Sequence, residues 1–174
     1  MIKVNKMLAL CAATAALSIF SFGCSGNTSN VSSTIDRVES TVASAAAATP
    51  QIIAEKLKAA VTMTDMQPLT ETDLTAMYGI SMDDVLAFAG EIDATGLRTD
   101  EFLIIQAKDS TAADNVLTKM KAHQTQRMNE AKNYNPQGYA TVQKSPVAKK
   151  GTYVYLFFFE EADEMVKILN ENVA

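Results

Sequence analysis

A chain of 174 residues, 48% hydrophobic and 20% charged with a formal net charge of -5, has the size of one domain plus a short extension. Its acidity argues against nucleic acid and against anionic lipid heads as partners, since both need clustered Lys and Arg. With only two cysteines, Cys11 and Cys24, and none after them, a disulfide-stapled secreted fold is excluded.

Lys3 and Lys6 open the chain, and an apolar run follows from Met7 to Phe22, then Gly23 and Cys24, then polar Ser25-Gly26-Asn27. That order is an export signal, residues 1–23. The run of about 16 residues is short of the roughly 20 that span a bilayer, so removal is favoured over a permanent anchor. Two readings of Cys24 stay open. Gly23-Cys24 resembles a lipobox, which implies a diacylglycerol thioether on Cys24 and cleavage just before it. Ser21 stands where lipoboxes usually carry Leu, and Phe22 is bulky for its place. The other reading is ordinary cleavage after Ser21-Phe22-Gly23, with Cys24 merely the new N-terminus. Cys11 leaves with the signal in either case. Loss of Lys3 and Lys6 takes the net charge from -5 to -7. Two acyl chains hold a protein where one is reversible, at about 0.8 kcal/mol per buried methylene.

Residues 24–49 form a Ser-, Thr- and Ala-rich tether without aromatics, too polar to offset its own ordering entropy. As a coil it reaches roughly 25–30 Å. Val31, Ile35, Val38 and Val42 recur at helical spacing, with Ser33 and Asp36 as a capping pair, so a transient amphipathic helix competes.

Residues 50–174 carry the globular domain. Thr49-Pro50 predicts a helix start, with Ile52, Ile53, Leu57, Ala60 and Val61 on its apolar face. Met63 to Leu69 reads as a connector. Thr70 and Asp73 open a second helix that Gly79 ends, with Leu74, Met77 and Tyr78 inward. Ser81 to Asp84 is a brief turn. Val85 to Ile92 and Glu101 to Ala107 alternate as strands, joined by a turn at Gly96. Asp109-Ser110 begins the longest helix, to about Asn133, on a stripe of Ala113, Val116, Leu117, Met120, Met128 and Ala131. Pro136 to Lys144 is a short helix. Thr152 to Phe159 is apolar on both sides and therefore an interior strand covered twice. Lys149 and Lys150 before it, and Glu160 and Glu161 after it, read as charged gatekeepers. A final helix buries Ala162, Met165, Val166 and Leu169. The sum is an α+β fold with a small, mainly antiparallel, three-stranded sheet.

The domain resembles a family of uncharacterised bacterial lipoproteins known only as domain of unknown function number 4358. The carriers are Tyr78-Gly79-Ile80 with Asp83-Asp84, Glu101-Phe102-Leu103-Ile104, Gln126-Arg127, Tyr134-Asn135-Pro136-Gln137 and Gly151-Thr152-Tyr153-Val154. The resemblance implies an envelope lipoprotein and supplies no activity.

Catalytic chemistry is scarce. His123 is the only histidine and reads as solvated helix surface, since a metal site or a triad needs company. No glycine-rich phosphate loop is present. Asp83 with Asp84, and Glu91 with Asp93, are the candidate carboxylate pairs for sugar hydrolysis, though capping explains Asp83 and Asp84 better. Tyr134, Tyr139, Tyr153 and Tyr155 are candidate stacking platforms, and more often such rings simply pack. No cofactor, metal or nucleic acid is called for. The expectation is a lipid-anchored, extracytoplasmic, non-catalytic module that binds a protein or an envelope polymer; if helices cover only one side of the sheet, the other side is an apolar docking surface, and both sides sealed with no groove would count against it. The alternative is a small envelope hydrolase using paired carboxylates.

Overall fold

A computed structural model describes residues 47–173. The signal, Cys24 and nearly all of the tether lie outside those residues. The elements are α1 (Pro50–Ala60), β1 (Met66–Pro68), α2 (Glu71–Ala76), a 3-10 turn (Met82–Asp84), β2 (Val85–Asp93), β3 (Glu101–Ala107), α3 (Ser110–Tyr134), α4 (Pro136–Lys144), β4 (Val147–Lys150), β5 (Tyr153–Phe158) and α5 (Ala162–Asn172).

One five-stranded sheet runs in the order β1-β2-β3-β5-β4, with every neighbouring pair antiparallel. Three strands were expected. The α+β class stands, and the count is corrected by two short edge strands. β1 contains Pro68, and β4 is Val-Ala-Lys-Lys, so neither shows the apolar alternation of a strand buried on both faces. Lys149 and Lys150 are thus strand residues. Lys149 pairs with Asp114 at 2.5 Å, and Lys150 donates to the Asn170 and Val173 carbonyls. Gly151, at φ 58, begins the tight turn that returns β4 to β5, a conformation that favours glycine.

The side-chain period of two then sorts the core. Leu103, Ile105, Val154, Leu156 and Phe158 point to one face and meet Leu74, Val116, Met120 and Val142 from α2, α3 and α4. Phe102, Ile104, Tyr155 and Phe157 point to the other and meet Ile53, Leu57, Met165 and Leu169 from α1 and α5. Both faces of the sheet are therefore sealed. Among the described residues the sheet has no bare apolar face, because α1 and α5 cover what α3 leaves, and the one-sided arrangement that would expose a docking face is not adopted.

Local signals place these helices. The Thr49 hydroxyl accepts from the Ile52 amide with Pro50 at the first position, and Thr70 with Asp73 forms a reciprocal capping box. Ile80 N–H donates back to the Leu74 carbonyl at 3.0 Å around Gly79, whose φ is 65. Three inward assignments fail: Ile52 is 51% and Met77 39% exposed, and Ala60 is exposed as well, each turned off its helix's buried stripe. The domain also begins before Pro50. Ala48 N–H donates to the Asn172 carbonyl, and the Tyr153 hydroxyl donates to the Ala48 carbonyl.

Candidate functional site

β3 begins with a glutamate on a face where every other side chain is apolar. Glu101 is fully buried, between Ile92 and Phe158 of the neighbouring strands. A buried carboxylate needs partners, and three converge on it. The Tyr78 hydroxyl donates to Glu101 Oε1 at 2.7 Å, His123 Nε2 lies 2.8 Å from the same oxygen, and Arg127 Nε is 3.5 Å from Oε2. The imidazole also packs against Tyr78 in a tilted arrangement, with ring centroids 4.2 Å apart. Burial, then the Glu101 charge, push the Tyr78 phenol far above its usual range, so it is a permanent donor.

His123 is therefore not solvated helix surface. It is 5% exposed. The signal was the period of α3: the stripe Ala113, Val116, Met120 steps on by three and four to His123 and Arg127. Polar identity hid them. Glu101 was equally readable as the odd member of the Leu103–Ile105 face. Tyr78 keeps its proton in this cluster, and Arg127 alone of the four reaches solvent, its side chain 21% exposed. It ties α3 to β3.

The proposed carboxylate pairs do not converge. Asp83 and Asp84 lie in the 3-10 turn that opens β2, where Ser81 caps the Asp83 amide at 3.2 Å. Glu91 and Asp93 lie at the far end of the same strand, about 20 Å away at strand rise. Glu91 pairs with Lys58 at 3.2 Å. Asp93 is locked by the β2–β3 turn: it accepts from the Thr95 hydroxyl and the Leu97 and Arg98 amides, and pairs with Arg98 at 2.8 Å. Burial alone would raise the Asp93 carboxyl, but the hydrogen bonds from Thr95 and Arg98 and the guanidinium charge outweigh it and hold it below the usual range. That is the opposite of what a general acid needs. Among the described residues, no three His, Cys, Asp or Glu gather as a metal site.

Tyr153 and Tyr155 pack in the core, and Tyr155 stacks on Phe157 at 5.2 Å. Tyr134 stands 91% exposed beside Leu97 at a polar hollow between the β2–β3 turn and the end of α3.

The largest concavity, about 650 Å³, is an open groove along the outer edge of β2. β1 pairs with β2 only from Glu91 to Asp93, and Leu69 N–H then donates to the Gly90 carbonyl before the chain turns away into α2. Gly90 permits that approach: a Cβ there would sit 2.7 Å from the Phe102 carbonyl oxygen and 2.9 Å from Leu69. Among the described residues, no strand lies on the outer side of β2, the side away from β3, from Val85 to Ala89. Leu86, at a bulge between Val85 and Ala87, is 60% exposed in this groove, and Phe88 is half-buried. Backbone groups two residues apart face one side of a strand, so Phe88 presents its N–H and C=O outward as Gly90 does. The Gln51 side chain donates to the Phe88 carbonyl at 2.9 Å.

Among the described residues, no helix is long and apolar enough to cross a membrane. No curated protein and no solved structure matches the chain. The profile of one family, described as a domain of unknown function (DUF4358), matches residues 59–159, from the end of α1 through β5. That stretch contains Glu101, its three partners and the β2 side of the groove, whose α1 wall lies before it, and by it the chain belongs to the DUF4358 family.

Proposed function

We propose that the protein is a non-catalytic binding module of the bacterial cell envelope, held on the outer side of the cytoplasmic membrane by a lipid on Cys24. The domain recognises its partner through the groove beside β2. The groove carries this reading. It is a concavity of about 650 Å³ among the described residues, it exposes Leu86, and it borders the outward edge of β2, which no described strand pairs from Val85 to Ala89. The hydrolase alternative has less behind it: of its two candidate pairs, Asp83 and Asp84 sit in the capped turn before β2, and Glu91 and Asp93 are engaged by Lys58 and Arg98. The signal-like N-terminus and the acidic domain support a lipid, rather than a protein surface, as the membrane contact.

A photo-crosslinking amino acid at position 86, with position 121 on exposed α3 as control, tests the reading in cells. A discrete adduct from position 86 and none from position 121 is expected. Equal, smeared labelling from both positions would contradict a dedicated groove.

A further inference from the structure

The geometry points to an extended peptide segment, alternating apolar and basic residues, that adds to the sheet as a strand beside Leu86–Ala89 of β2. The inference rests on the groove being the binding surface and names what fills it. Three observations carry it.

The first is the backbone. β1 stops after three residues, and Pro68 directs its N–H-less side outward, so no strand can extend the sheet beyond β1. The open edge is therefore confined to the first half of β2. There the Phe88 carbonyl is bonded by a side chain, that of Gln51, in the place a neighbouring strand's amide would take. An arriving peptide displaces that amide and gains the Phe88 N–H as well.

The second is the shape of the walls. Phe88 and Met82 pack toward the α3 face, whereas Ala89 packs toward α1. A strand alternates its side chains, so one set lies against Met82 and Phe88 and the other against α1. The volume of about 650 Å³ is within the range of specific ligand sites.

The third is charge. Glu55, Glu71 and Glu91 line the groove against Lys58 as its only basic residue, and Lys58 is already shared between Glu55 at 2.7 Å and Glu91 at 3.2 Å. The residual negative charge lies on the α1 wall and at the start of α2. Basic side chains on the alternate positions of the peptide meet it, and acidic ones are repelled. The bulge at Leu86 twists this edge and limits indiscriminate pairing, so recognition depends on the side chains as well.

Three labelled peptides test the proposal on the full chain in nonionic detergent: KVKVKV, EVEVEV, and KVKVKV with alternate backbone amides N-methylated. Fluorescence anisotropy reads affinity, and amide NMR shifts read position. KVKVKV is expected to bind about tenfold more tightly than EVEVEV and to lose about tenfold on N-methylation, with shifts centred on Phe88. Glu55→Lys, at an exposed site on α1, should narrow or reverse the charge preference without unfolding the domain. Equal binding of the N-methylated peptide would overturn strand addition. So would shifts centred elsewhere, or occupation of the edge by a second copy of the chain. If no peptide binds while position 86 still crosslinks a glycan or another ligand, the strand inference fails and the groove survives. If neither occurs, both fail.

Discussion

Glu101 is held away from water by three hydrogen-bonding and ionic atoms, one each from Tyr78, His123 and Arg127. Removing the acceptor strands these donors. Glu101→Ala is expected to cost about 3–5 kcal/mol in urea unfolding, the range for breaking a buried pair. Arg127→Gln should cost less, because that side chain is partly exposed and also pairs with Glu130 at 3.2 Å. A Glu101–His123 double-mutant cycle should show coupling of about 0.5–3 kcal/mol; additive losses would mean the two do not interact. Asp93 makes a pH prediction. Its carboxyl is held below the ordinary carboxylate range in the folded chain, so it stabilises the fold above about pH 4 and loses that contribution as the pH falls through its folded value. Asp93→Asn should be less stable than the parent at pH 7, and the gap should close toward acid. A constant gap would deny that the Asp93 charge matters. None of these partners was legible from residue type. His123 and Arg127 occupy inward steps of a helix whose other inward steps are Ala, Val and Met.

Among the elements, the apolar ones were legible and the edge ones were not. β3 and β5 alternate on two buried faces, and their sequence sides are the observed sides. The capped starts of α1, α2 and α3 were equally readable, since each cap is a local interaction between residues three apart. β1 and β4 are defined by what they pair with, and that is long-range information which local sequence lacks. Consequently the groove was not legible either: it exists because β1 is too short to cover β2. Gly90 fixes where β1 leaves. Gly90→Ala is expected to lose about 1–3 kcal/mol of stability, because its methyl meets backbone rather than a yielding side chain. Gly151→Ala meets open space and should lose about 1 kcal/mol from its positive φ alone. Equal losses would mean that the Leu69 crossing is not tight.

At the scale of the whole molecule, the proposed attachment and the proposed recognition fall to different parts of the chain. The described domain is a sheet sealed on both faces, so contact with a partner falls to its edge. The account assigns the membrane to one atom, the sulfur of Cys24, and predicts that nothing in the domain replaces it. Cell fractionation with intact-mass analysis of the parent chain and of Cys24→Ser tests this most directly. The parent should sediment with membranes and weigh more than the unmodified chain from Cys24 onward by the mass of its acyl chains, while the serine variant carries no such mass and leaves the membrane. A serine variant that stays membrane-bound, or a parent with no added mass, would contradict it.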